Sequence, residues 1–152
     1  IIKNTNFKYG ITFDGDGQNN AADLKEMIEI VREQNFQAYL GTRFKKKEHR
    51  DAIPFLKKIV LKLSIKYERL FYSIKLSDAH NGLRILDRDL IQSHILPIKN
   101  YDMSHATEIS YKVCQSKCKR GEYPIKVDYR NKRSQNPINS INIAITNIFK
   151  PL

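Results

Sequence analysis

The chain switches hydrophobic period repeatedly, and that alternation restricts its fold more than any other feature. "KYGITF" reads as a short strand, with Ile11 and Phe13 on one side and Tyr9 in phase with them. The next segment, "AADLKEMIEIVREQ", places Leu24, Met27, Ile28 and Val31 at helical spacing. "QAYLG" returns to a short strand ended by Gly41. A longer helix is expected from about Arg50 to Tyr72, carrying Ile53, Leu56, Val60, Leu63, Tyr67 and Leu70 in steps of three and four. Pro54 falls near its first turn, where a missing N–H costs little. "SDAHNGLRILDRDLI" supplies an Asn81-Gly82 turn, a short apolar run and a helix start. "SHATEISYKVCQSKCKRG" reads as a third helix capped by Ser104 and closed by Gly121, with Ile109 and Val113 on its apolar side. "YPIKVDY" alternates Ile125, Val127 and Tyr129 as a strand would. Residues 137–149 read as an amphipathic helix, with Ile138, Ile141, Ile145 and Ile148 in register. Such alternation predicts a single α/β layered domain over residues 1–152.

Composition narrows the class. With 41% hydrophobic and 28% charged residues in a chain of 152, a globular domain with a real core is expected. No apolar run reaches bilayer-spanning length and no signal-peptide pattern opens the chain, so a cytoplasmic location is expected. Cys114 and Cys118 lie four apart, which suits one helical face better than a disulfide framework. The net charge of +11 calls for an anionic partner: nucleic acid, a nucleotide diphosphate or an acidic leaflet. Aromatic residues do not interleave with the basic clusters, so a nucleic-acid-binding module is motivated by charge alone and no nucleic-acid partner is expected.

"FDGDGQNN" is the stretch that carries chemistry. Asp14 and Asp16 stand one residue apart in a glycine-rich turn with no counter-charge inside it. A calcium loop can be forced onto it, but Asn19 and Asp23 then occupy places that want an aliphatic residue and a bidentate Glu. A plain Asp-Gly turn is the second rival. The third reading rests on position, because a diacid at the carboxyl end of a strand with a helix following lies where open α/β sheets bind ligands. Mg²⁺ or Mn²⁺ takes one or two protein carboxylates and leaves its other positions to water and phosphate oxygens. Asp14 and Asp16 are thus candidate ligands for a metal that bridges to a nucleotide diphosphate and neutralises it on departure.

Several segments in order resemble a family 2 glycosyltransferase of the GT-A fold, nearest to the bacterial branch related to dolichol- or polyprenyl-phosphate sugar synthases. "FDGDGQNNAADL" is similar to that family's metal-binding turn, D-A-D-G-Q-H, and "YLGTRF" to its G-S/T-R segment. "LSDAHNGLRILDRDLI" resembles the D-x-x-x-G-hydrophobic-R segment on the acceptor side. "DMSHATEI" and "GEYPIKVDY" resemble the helix and the E-V-P-hydrophobic strand that follow. The resemblance implies the C-terminal portion of a GT-A domain, Rossmann-like with a mostly parallel sheet.

It also implies transfer of a sugar from a nucleotide-diphospho-sugar donor to a polyprenyl phosphate or cell-surface glycan, with inversion at the anomeric carbon. Asp14 and Asp16 would ligate Mg²⁺ or Mn²⁺, with Gln18 a third ligand or a partner of metal-bound water. Arg43 would lie near the donor diphosphate or acceptor phosphate, and Asp78 beside the acceptor. A carboxylate there can deprotonate an attacking hydroxyl, whereas a lipid phosphate acceptor is already ionised and requires no base. Arg84 would then hold that phosphate. Arg130, Lys132 and Arg133 match a basic loop that closes over donor or lipid phosphate. Residue chemistry alone leaves other roles open: Arg43 can pair with an acid, Arg84 with Asp87 or Asp89, and Asp78 can cap the Asn81-Gly82 turn. His80 and His105 lie in resembling segments without an assigned role.

The chain departs from the family pattern at Gly15, Asn19 and a shortened "YRNKRSQNP". It begins with Ile rather than Met, about one strand before the diacid, and nothing in it resembles the family's V-P-x-Y-N-E opening or the strands and helices after it that hold base and ribose. The expectation is a missing N-terminal fragment and an open apolar edge displaying Tyr9, Ile11 and Phe13. A truncated, catalytically silent remnant that needs that half is therefore the alternative to an active enzyme. The basic surface and the amphipathic helix at 137–149 suit peripheral contact with the inner face of a membrane.

Overall fold

A computed structural model describes residues 6–78, 80–99 and 105–129. Four strands form one sheet in the order β1-β3-β2-β4, with β1 at Tyr9–Thr12, β2 at Ala38–Thr42, β3 at Arg84–Asp87 and β4 at Arg120–Pro124. Helices α1 (Ala21–Gln34), α2 (Lys47–Asp51), α3 (Phe55–Tyr72), α4 (Arg88–Leu90) and α5 (His105–Gln115) connect them, and α4 runs into a π-helical turn at Ile91–Ile95. The α/β expectation holds. Among the described residues no helix is long and apolar enough to cross a membrane.

The sheet is mixed rather than mostly parallel. β3 runs antiparallel to both β1 and β2, and only β2 and β4 are parallel. The cause lies in residues 73–78 and 80–83, which follow α3 and belong to no helix or strand. Ser77 Oγ lies 2.7 Å from Thr42 Oγ1, and Asp78 bonds to Arg43, so the chain is pinned at the carboxyl end of β2 before β3 begins. The strand can then only run back. Thr12 pairs with Arg84 and Thr42 with Pro124, so the carboxyl ends of β1, β2 and β4 and the amino end of β3 meet on one side of the sheet.

Each face has its own core. Met27 and Val31 of α1 pack with Tyr39, Leu83, Ile85, Ile125 and Val127. Ile109 and Val113 of α5, with Leu90, Ile91 and Ile95, pack on Ala38, Leu40 and Leu86 from the other side. Asn20 caps α1, its Oδ1 accepting from Ala22 N at 3.0 Å, and Asn35 ends it in the left-handed region at φ 52°.

Several boundaries differ from the sequence reading. The long helix is two helices, because Pro54 is the residue before α3 rather than part of its first turn. Helix α5 stops at Gln115, and Lys117 takes φ 55°, so Cys118 lies beyond the helix and Gly121 does not close it. Gly121 sits in β4, where an added Cβ would come within 2.6 Å of the Tyr39 ring. The last strand accordingly starts at Arg120, and Ile125 and Val127 are buried beyond its end. β1 is an outer strand, with Ile11 and Phe13 exposed as expected and Tyr9 half-buried. Ser104 and the helix expected at 137–149 lie outside the described residues.

Met27 is fully buried at the centre of the α1 face. Met27→Ala should therefore destabilise the fold by about 2–5 kcal/mol. Urea unfolding would show this as a lower midpoint with an unchanged slope.

Candidate functional site

The clustered strand ends carry most of the candidate residues. β1 delivers the diacid turn, β2 delivers Arg43, and the Asn81-Gly82 turn delivers the start of β3. Asn81 shapes that turn, its Oδ1 accepting from Leu83 N at 2.8 Å. Gly82 matters for what stands over it, since an added Cβ would overlap both oxygens of the Asp14 carboxylate. Only glycine lets Asp14 lie against this turn. Thr12 Oγ1 donates to Gly82 O at 2.6 Å and ties the two segments together.

Asp14 and Asp16 are both exposed, with no protein cation bonded to either among the described residues. Asp16 Oδ1 accepts from Gln18 N at 3.0 Å, and Gln18 O accepts from Asp128 N at 3.0 Å. The turn is thus anchored through Gln18's backbone while both aspartates stay exposed. Among the described residues there is no group of three or more His, Cys, Asp or Glu side chains that could hold a metal. Two exposed carboxylates one residue apart could share a Mg²⁺ or Mn²⁺ whose other positions go to water and phosphate, but would not by themselves enclose a structural metal.

Arg43 and Asp78 form the buried heart of the site. Asp78 Oδ2 accepts from Arg43 Nε at 2.6 Å and from Arg43 N at 3.1 Å, while Oδ1 accepts from Nη2 at 2.7 Å. Both side chains are almost wholly buried. Burial works against the charge of Asp78, but the adjoining guanidinium outweighs it and holds the carboxyl below its ordinary range. Arg43 is raised above its own ordinary value for the complementary reason: the Asp78 carboxylate outweighs the opposing burial. Of the open alternatives for Arg43, pairing with an acid is what the chain adopts. Asp78 has both oxygens committed to Arg43, which leaves it a weak base as it stands.

The loop that carries Asp78 is itself fixed. Glu122 Oε1 accepts from Ser77 N at 2.7 Å and from Ser77 Oγ at 2.8 Å, tying this loop to β4. Arg84 does not reach out from the sheet as a surface phosphate binder would. It is 2% exposed, and its Nη2 donates to Ala106 O of α5 at 3.4 Å. Burial pushes its guanidinium down to about 10 against the opposing pull of Asp14, Asp78 and Glu68. Asp87 and Asp89 serve the start of α4, where Asp89 N donates to Asp87 Oδ1. His80 Nε2 lies 3.1 Å from Glu68 Oε1, which also accepts from Thr107 Oγ1 at 2.9 Å. His105 opens α5. Arg130, Lys132 and Arg133 lie outside the described residues.

Sequence reasoning missed two members. Lys57, in the first turn of α3, places its ammonium 4.8 Å from the centre of the Tyr129 ring. Burial and then the neighbouring Arg43 lower it from the usual lysine value, while Asp16 and Asp78 pull the other way. Tyr129 OH accepts from Arg43 Nη1 at 3.4 Å and closes the ring of contacts. One signal was available. Residues 57, 61, 64 and 68 share a helical face, and Ser64 with Glu68 on it marks a seam that binds polar groups inside. No protein-family model matches the chain, and no curated protein matches its sequence.

Asp78→Asn leaves Arg43 buried without its counter-charge and should cost about 3–5 kcal/mol at neutral pH. Since the folded-state value of Asp78 is depressed, its contribution is complete above the ordinary carboxyl value of about 3.9 and disappears as pH falls through the lower folded value. Wild-type stability should therefore fall more steeply below about pH 4 than that of the variant, and the two curves should converge in acid. Denaturant titrations at a series of pH values would check this.

Proposed function

We propose that this chain is the metal and acceptor portion of a glycosyltransferase, moving a sugar from a nucleotide-diphospho-sugar to a polyprenyl phosphate or surface glycan. The observation that supports it most is convergence: segments that resemble one family in order, but are far apart in sequence, meet at one end of the sheet. Asp14 against Gly82 joins the first and third of them, and Arg43 with Asp78 joins the second and third.

On this reading Asp14 and Asp16 hold Mg²⁺ or Mn²⁺, with Gln18 beside them. The metal supplies Lewis-acid neutralisation of the departing diphosphate. The acceptor oxygen forms a bond to the anomeric carbon as the bond to the diphosphate oxygen breaks, and the electron pair leaves with the diphosphate. A phosphate acceptor favours this arrangement, because it arrives ionised and Asp78 is engaged elsewhere. Asp78 is then a positioning residue that sets the plane of Arg43, while Lys57 and Arg84 add positive charge at the same end of the sheet.

A second reading, a silent remnant that acts only with a complementing segment, draws on the outer position of β1 and its exposed Ile11 and Phe13.

Mn²⁺ with a nucleoside diphosphate should raise the melting temperature, by the equivalent of about 2.7 kcal/mol at a hundredfold excess over Kd. Asp16→Ala should remove that gain without lowering the melting temperature of the unliganded protein. Stabilisation by the ligands with no detectable sugar transfer would favour the remnant. No stabilisation at any concentration would remove the donor-binding reading itself.

A further inference from the structure

Helix α3 is turned inside out for a soluble domain. Its buried residues are Leu61, Ser64 and Glu68. The opposite face exposes Phe55, Leu56, Ile59, Leu63 and Leu70, several of them by more than 60%, and Phe71 is exposed at the helix end. The stripe expected from sequence thus does not meet the core: Leu56, Leu63 and Leu70 lie outward, while Val60 and Tyr67 sit half-buried at its edge. At about 100° per residue, Leu56, Ile59, Leu63 and Leu70 form one continuous band, roughly 21 Å long. Isolated surface leucines require no explanation, but a continuous band of this length does.

Charge beside the band identifies what would cover it. Lys62, Lys66 and Arg69 are exposed along one flank. The single acidic residue of α3, Glu68, is buried and engaged by Thr107 and His80. A second copy of α3 would bring cations against cations. Residues 130–152 of this chain fit no better, since they carry Arg130, Lys132, Arg133 and Lys150 and no Asp or Glu. An anionic lipid surface satisfies both halves of the face, taking the apolar band into its acyl boundary and pairing the lysines with headgroups.

We infer that α3 is the seat of this protein on an anionic membrane surface, lying in the plane of the interface with Leu56, Ile59, Leu63 and Leu70 immersed. The inference differs from the one based on residues 137–149, and it stands whether or not the site transfers sugar.

The chain contains no tryptophan, so Leu63→Trp gives a single reporter on this face. With full-length protein and vesicles of phosphatidylcholine and phosphatidylglycerol at three to one, its emission should shift to the blue. Phosphatidylcholine alone should leave it unchanged. In co-sedimentation with the same vesicles, the triple change Lys62→Glu, Lys66→Glu and Arg69→Glu should weaken binding at least roughly tenfold. These positions are exposed, so the circular dichroism and melting temperature of that variant should remain close to wild type. Ile141→Asn with Ile145→Asn should leave binding in place. Three results would overturn the inference. One is an indole emission in the Leu63→Trp variant that is already blue-shifted without lipid and indifferent to it, which would mean that protein covers the face. Another is vesicle binding that survives the α3 charge reversal and is lost in the Ile141/Ile145 variant. The third is no binding to anionic vesicles at all.

Discussion

The Arg43–Asp78 pair is the constraint on which the rest of this end of the molecule depends. Two opposite charges with almost no contact with water survive only if each satisfies the other, and three bonds from one arginine to one carboxylate achieve this. One of those bonds comes from the Arg43 backbone, so the pair fixes main chain as well as side chain. It holds Asp78 and the loop around it against the end of β2, and the direction of β3 follows from that. With β3 reversed, its first residue stands beside the last residue of β1. The diacid turn, the Asn81-Gly82 turn and the end of β2 therefore meet because one buried ion pair brings the chain back to them.

Around that pair the charges are sorted by depth. The carboxylates of Asp14 and Asp16 are exposed, whereas Arg43 and Arg84 are buried and Lys57 is half-buried. Arg43 is neutralised by Asp78, so its contribution to any ligand is chiefly geometric. Arg84 and Lys57 differ, because burial lowers both while several carboxylates at the same end of the sheet pull them back. Exposed carboxylates and buried cations thus share one end of the sheet; under the proposed function that ordering would suit a metal-bound phosphate.

Much of this was legible in sequence where local chemistry decides. The period-two run at Tyr9–Thr12, the amphipathic pattern of α1 and the Asn81-Gly82 turn are all local signals, and each gave its element. The mixed sheet was not legible, since the direction of β3 is set by contacts 35 residues apart in sequence, from Arg43 to Asp78. The same holds for Gly121, whose turn-like sequence context hides a packing requirement against Tyr39. For the site, the residues could be singled out but their depth could not. Arg43, Asp78 and Arg84 read as ligand contacts because the family resemblance places them in segments with that role. Sequence alone does not reveal that two of them consume each other's bonding capacity.

Helix α3 shows why depth was the hard part. It carries apolar residues on nearly every side, so a stripe in steps of three and four can be drawn on more than one face. Burial pattern alone would have put Leu56, Leu63 and Leu70 inside. The inner face instead takes Ser64 and Glu68, where the Thr107 hydroxyl of α5 donates to Glu68 Oε1 and His80, in the loop after α3, lies 3.1 Å from the same oxygen. Once that polar seam faces inward, the turn of about 100° per residue fixes where every other side chain goes. The leucines are exposed as a consequence, next to lysines that have no acid on their own helix to meet. A buried hydrogen-bonded glutamate thus determines the orientation of a helix whose outer surface is then suited to something other than water.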